Sequence, residues 1–142
     1  MKLTSVYFSA TFTTRRVVDY VSRLLSDQVT KYDITNDAST DEVLLAADEV
    51  LVVGIPVYAG RVPVMAVDRI RRFKGKGSRA VAIAVYGNRH YDDALLELSD
   101  ILSENGFQVI SAGAFLAQHS IFPKVGANRP DKDDFLQMDA FA

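Results

Sequence analysis

The chain has 142 residues, of which 49% are hydrophobic and 24% charged, with a formal net charge of −2. That is enough apolar material for a packed core, which argues against a disordered chain, and the charge balance favours neither nucleic acid nor an anionic membrane surface. Cysteine is absent, which excludes disulfides, iron–sulfur ligation and thiol catalysis within this chain.

Leu3 to Phe8 is rich in β-branched and aromatic residues and predicts a first strand. A hydroxyl-rich turn, Ser9-Ala10-Thr11-Phe12-Thr13-Thr14, follows. Arg15 to Leu25 predicts a helix with Val17, Val18, Val21, Leu24 and Leu25 on one face. Val29 to Ile34 alternates as a short second strand, and Asp41 to Ala47 predicts a helical turn capped by Thr40 or Asp41. Glu49 to Ile55 is nearly all apolar, the pattern of a parallel strand buried on both faces. Pro63 to Phe73 predicts a helix that carries its proline in the first turn. Ala80 to Tyr86 is a further buried strand. Tyr91 to Glu104 is an amphipathic helix with Leu95, Leu98, Ile101 and Leu102 inward, ended by Asn105-Gly106. Phe107 to Leu116 predicts a fifth strand, and Pro130 to Phe141 a last helix. No apolar run approaches the ~20 residues of a membrane span. The chain starts in a strand pattern rather than a secretory leader, so a cytoplasmic protein is the expectation.

Strands alternating with helices predict an α/β fold, an open parallel sheet with helices on both faces, forming a single domain over residues 1–142. In such a sheet a ligand sits beyond the carboxyl ends of the strands, where strand order reverses. Three segments then converge: Ser9–Thr14, Pro56–Pro63 and Tyr86–Tyr91. The first suits a phosphate. Amides in the first turn of a helix have no intrahelical partner, and the helix dipole favours an anion there. Ser9, Thr11, Thr13 and Thr14 would add hydroxyl donors. Serine and threonine also favour helix caps, so this segment alone carries both readings. Neither His90 nor His119 has metal-ligand spacing, and no catalytic acid–base pair stands out. The basic group Arg69, Arg71, Arg72, Lys74, Lys76 and Arg79 reads as a solvated face or as a docking surface for an acidic partner.

Ser9-x-Thr11-x-x-Thr14 matches the phosphate loop of flavodoxins. With Gly54 to Pro63, Tyr86 to Leu95, Ala112-Gly113-Ala114-Phe115 and Gln118-His119-Ser120, the chain resembles flavodoxin-like FMN-binding domains, of the type often fused to a small ferredoxin in iron–sulfur flavoproteins. The resemblance covers nearly the whole length. It implies a five-stranded parallel sheet in the order 2-1-3-4-5, FMN as cofactor and one-electron transfer with a redox protein partner such as a ferredoxin. It places Ser9, Ala10, Thr11, Phe12, Thr13 and Thr14 around the phosphate. Around the isoalloxazine it places Pro56, Val57, Tyr58, Ala59, Gly60 and Arg61, together with Tyr86, Gly87, Asn88, Arg89 and Tyr91. Tyr58 and Tyr86 or Tyr91 would wall the ring. The Gly60 peptide would face flavin N5, and amides at Gly87, Asn88 and Arg89 the pyrimidine edge. The resemblance departs at Phe12, where the family usually has glycine. Two further readings therefore stand beside the first. One is a flavodoxin-fold domain with weak or lost FMN binding, acting in protein interaction or regulation. The other is a flavin reductase acting on a quinone-type small molecule.

Overall fold

A computed structural model describes residues 2–9, 13–36, 39, 41–57, 61–86 and 92–116. Its elements run β1 (Lys2–Tyr7), α1 (Thr13–Leu25), β2 (Gln28–Asp33), β3 (Val43–Leu44), β4 (Val50–Pro56), α2 (Val64–Ile70), β5 (Phe73–Lys74), β6 (Ser78–Tyr86), α3 (Asp92–Glu104) and β7 (Phe107–Leu116). Five strands form one all-parallel sheet in the order β2-β1-β4-β6-β7. Numbered among themselves, these long strands have the expected order 2-1-3-4-5. The remaining two, β3 and β5, form a separate parallel pair.

The sheet is covered on both sides, as its apolar strands require. On one side Leu3 and Tyr7 of β1, Val52 of β4 and Ile83 of β6 pack against Val17, Val18 and Val21 of α1. On the other, Val6, Val53 and Ala82 pack against Ala66 and Ile70 of α2 and against Leu98, Ile101 and Leu102 of α3. The expected inward face of α3 is therefore confirmed. The buried arc of α1 runs through Thr14, Val17, Val18, Val21 and Ser22. At roughly 100° per residue, Leu24 falls at the edge of that arc. It is exposed rather than inward as expected.

One glycine sets how closely α1 lies on the sheet. A Cβ at Gly54, near the carboxyl end of β4 and opposite Tyr7, the last residue of β1, would overlap Val18 Cγ2 and stand 3.3 Å from Thr14 Cγ2. Its absence lets the first turns of α1 rest directly on the central strand. A second glycine ends α3: Gly106 has φ 92°, the left-handed conformation expected after a helix. It also crosses Gly75 closely. Gly75 N–H donates to Asn105 O at 2.9 Å, and Gly77 N–H to Gly106 O at 2.8 Å.

Two sequence expectations are corrected. Asp41 to Ala47 is not a helical turn. Val43 N–H donates to Arg72 O at 2.9 Å and Leu45 N–H to Lys74 O at 2.8 Å, so the segment pairs as β3 with β5. Leu45 is thereby drawn into the core at 2% exposure. Its backbone gains sheet partners that a single isolated helical turn would not supply. The helix expected over Pro63 to Phe73 is also shorter. It spans Val64–Ile70, turns at Arg71 and gives Phe73 to β5, where the ring is fully buried against the edge of Tyr32. The helix expected over Pro130 to Phe141 lies outside the described residues, as do Gln118 to Ser120.

Candidate functional site

All five long strands point the same way, so their carboxyl ends share one edge of the sheet. The chain leaves β1 to form β2 on one side, then returns to place β4 on the other. The reversal therefore falls between β1 and β4, and the crevice beyond their carboxyl ends is the topological switch point. Phe8 N–H donates to Gly54 O at 3.2 Å, extending the β1–β4 ladder to the threshold of that crevice.

Ser9 is the described residue that leaves β1, and α1 begins at Thr13. Ser9 Oγ accepts the Arg15 N–H at 3.3 Å, so the hydroxyl already serves an amide of the first helical turn. Thr14 is buried against β4, with its methyl toward Gly54. The first turn of α1 contains no acidic residue but does contain Arg15 and Arg16. Positive side chains oppose the positive end of the helix dipole. Arg15 is partly compensated. Its guanidinium lies 3.7 Å from Asp19 Oδ2 and 5.8 Å from the centre of the Tyr7 ring. Burial raises the Tyr7 phenol above its ordinary value, with Arg15 opposing and Asp33 and Asp19 reinforcing the shift. Tyr7 therefore stays neutral beside the crevice.

The second candidate segment leaves β4. Pro56 is half-buried, and Val57 is buried with its N–H donated to Val85 O at 3.1 Å, which ties the ends of β4 and β6 together. Arg61 is held against α3. Its Nη2 lies 2.8 Å from Glu97 Oε2, its Nε donates to Glu97 Oε1 at 3.0 Å, and the Val62 N–H reaches the same Oε1 at 3.0 Å. Glu97 is correspondingly acidic: hydrogen bonding from Arg61 is the main cause, against burial and with help from Val62. The same hydrogen bond raises Arg61. This fork faces a groove of about 380 Å³ between α2 and α3, beside Val67 and Leu96. Tyr86, half-buried at the end of β6, packs against the core on the α2–α3 side.

Of the expected site residues, Ser9, Thr13, Thr14, Pro56, Val57 and Tyr86 are described at or next to the ends of β1, α1, β4 and β6 that border the switch point, whereas Arg61, between β4 and α2, is turned to Glu97 and the α2–α3 groove. Ala10, Thr11, Phe12, Tyr58, Ala59, Gly60, Gly87, Asn88, Arg89 and Tyr91 lie outside the described residues. Among the described residues no group of three His, Cys, Asp or Glu is arranged for a metal, and no helix is long and apolar enough to cross a membrane.

The basic group is not a uniform solvated face. Arg69 donates to the carbonyls of Ile34 and Thr35. Arg72 is buried, donates to Ser39 O at 3.1 Å and lies over the Phe73 ring. Lys74 donates to Asn105 Oδ1 at 3.2 Å. Sequence reasoning took Arg69 only as part of a solvated or docking face and did not single out Thr35 or Glu97; each is joined to a partner 26 to 36 positions away. A local signal exists only for Thr35: Asp33-x-Thr35 at a strand end suits an Asx turn, and Thr35 N–H does donate to Asp33 Oδ1 at 3.0 Å.

No family model matches the chain, and no curated protein does. Solved structures do. Oxidised flavodoxin 1 from Bacillus cereus superposes with a TM-score of 0.67 at 13% identity, over 99% of this chain and 94% of that one. A flavodoxin from Streptococcus pneumonia TIGR4 gives the same figures. A flavodoxin from the domain Archaea gives 0.61 at 12% identity, over 99% and 93%. The chain therefore has a flavodoxin-like fold.

Proposed function

We propose that this protein binds FMN at the switch point and serves as an electron-transfer domain. The observation that carries the reading is Ser9, just past β1, whose Oγ accepts the Arg15 N–H in the first turn of α1, the turn that Thr13 and Thr14 open and that Thr14 seats on β4 at Gly54. Several neighbours of this fold are flavodoxins, and a flavoprotein of Lactobacillus acidophilus that shares it was solved in complex with FMN.

The residues present fit the phosphate end of the cofactor. Hydroxyls and helix amides are neutral donors suited to a phosphate dianion. Arg15 and Arg16 add positive charge, with no acidic residue in the same turn. Gly54 provides the close seat that keeps Thr14 and the helix end at the strand terminus. Ser9, Thr13 and Thr14 would hold the phosphate. Pro56, Val57 and Tyr86 would contribute to the walls that shield the ring from water. The Arg61–Glu97 fork would anchor the segment that leaves β4 against α3. When bound, FMN supplies the electron-accepting and electron-donating chemistry; the protein orients it and sets its surroundings. Electrons would come from a redox protein such as a ferredoxin.

Titration of FMN with purified protein tests this reading. Quenched flavin fluorescence with saturation at one FMN per chain is the expected result. Absence of quenching and of any absorbance change at high-micromolar FMN would refute it.

A further inference from the structure

Thr35 stands two residues past β2, and its hydroxyl engages both backbone groups of Ser9. Ser9 N–H donates to Thr35 Oγ1 at 2.8 Å, and Thr35 Oγ1 donates back toward Ser9 O at 3.4 Å. One hydroxyl thus uses its acceptor and its single proton on the same residue. Thr35 is itself held from two sides. Its N–H donates to Asp33 Oδ1 at 3.0 Å, and Arg69 Nη1, from the last turn of α2, donates to the carbonyls of Ile34 and Thr35. Onward from Ser9, the hydroxyl takes the Arg15 N–H of α1. A continuous set of hydrogen bonds therefore links α2, the end of β2, Ser9 and the first turn of α1.

We infer that Thr35 and Arg69 are positioning residues for the phosphate end of the ligand site. The inference rests on the proposed FMN reading. Neither residue need touch the ligand. Fixing the Ser9 N–H and C=O fixes the backbone where the chain turns from β1 toward α1, and it aims the Ser9 hydroxyl. A site ordered before binding loses less conformational freedom when the ligand arrives. Arg69 matters because the end of β2 is an edge of the sheet: β2 pairs only with β1 among the described residues. Ile34 is fully buried and donates its N–H to Tyr7 O at 2.9 Å, and Arg69 adds a tie from α2 to the carbonyls of Ile34 and Thr35.

The chemistry predicts a selective effect. A Thr35→Val change keeps the shape but removes the hydroxyl, leaving the half-buried Ser9 amide without its partner. FMN affinity should fall about tenfold, while riboflavin, which lacks the phosphate, should lose less than twofold. Thr35→Ser restores the hydroxyl and should bring FMN affinity back to within about twofold of the native protein. Arg69→Met should act in the same direction as Thr35→Val.

A readout independent of FMN is amide hydrogen exchange in the ligand-free protein by NMR. Thr35→Val should accelerate exchange at Ser9 and Arg15 while leaving the β4 and β6 amides unchanged. Faster exchange at those two amides, with a native protein that binds no FMN, would overturn the cofactor reading and retain the positioning role. Unchanged exchange at Ser9 and Arg15 would overturn the positioning role, whatever the protein binds. So would an equal loss of FMN and riboflavin affinity in a protein that binds both.

Discussion

Replacing Gly54 with alanine should lift the amino end of α1 off the sheet. The added methyl would overlap Val18 Cγ2 and press Thr14 Cγ2 at 3.3 Å. Val18 has no exposed surface, and a β-branched side chain in a helix has essentially one rotamer, so it cannot turn aside. Overpacking of this kind costs about 1–3 kcal/mol. Loss of the glycine's unfolded-state freedom returns about 0.4–1 kcal/mol. The overlap with a rigid, buried Val18 puts the overpacking cost in the upper part of its range, about 2–3 kcal/mol, so the net destabilisation is roughly 1–2.5 kcal/mol, a fall in Tm of about 3–10 °C for a chain of this length. Thermal unfolding followed by circular dichroism at pH 7 measures it. Val18→Ala creates space for the new methyl. The Gly54→Ala/Val18→Ala pair should therefore be less destabilised than the sum of its singles by about 1 kcal/mol or more. An unchanged or raised Tm in Gly54→Ala, or strictly additive singles, would refute the claim that α1 is seated through this glycine.

Gly106→Ala should destabilise by about 2 kcal/mol or more in urea unfolding, because its φ of 92° and its contact with Gly75 O both exclude a Cβ. Arg16→Glu, in the first turn of α1, should have opposite effects on two measurements. It should stabilise the ligand-free protein by up to about 0.5 kcal/mol through the helix dipole, and it should weaken FMN binding several-fold in a low-salt titration. The Glu97 carboxylate, held below its ordinary 4.5 chiefly by Arg61, contributes stability that is complete above that value and is lost as pH falls through the lowered one. The Tm gap between native protein and Glu97→Gln should thus be widest near pH 7 and narrow towards pH 3. A gap that is constant with pH would contradict the fork's role. Arg61, raised by the same partner, should stay charged throughout that range.

Hydrophobic patterning was sufficient for the long elements because most are buried in a regular way, and even the exposed edge strand β2 keeps Val29 and Tyr32 packed on the two cores. β4 is apolar throughout because both its faces are covered, and Phe107 to Leu116 matches β7 residue for residue. Patterning failed where pairing rather than periodicity decides. Val43 and Leu44 are too few to show alternation, and they become a strand only because Phe73 and Lys74 lie beside them. The same pairing takes Phe73 out of the helix its neighbours suggest. At the candidate site, the hydroxyl-rich segment and the strand ends were legible because local residue types announce them. Thr35, Arg69 and Glu97 were not, since an arginine on a short helix looks solvated until the fold brings two carbonyls to it. Gly54 was readable as a strand residue, but its meaning comes from Val18, 36 positions earlier in the chain.

The crystal structure of the protein grown with excess FMN would test the central claim most directly. The account predicts the phosphate at the amino end of α1, within hydrogen-bond distance of Ser9 Oγ and of amides in the first helical turn, with the ring beyond the ends of β4 and β6. An FMN bound elsewhere, or its absence from crystals soaked to saturation, would contradict it.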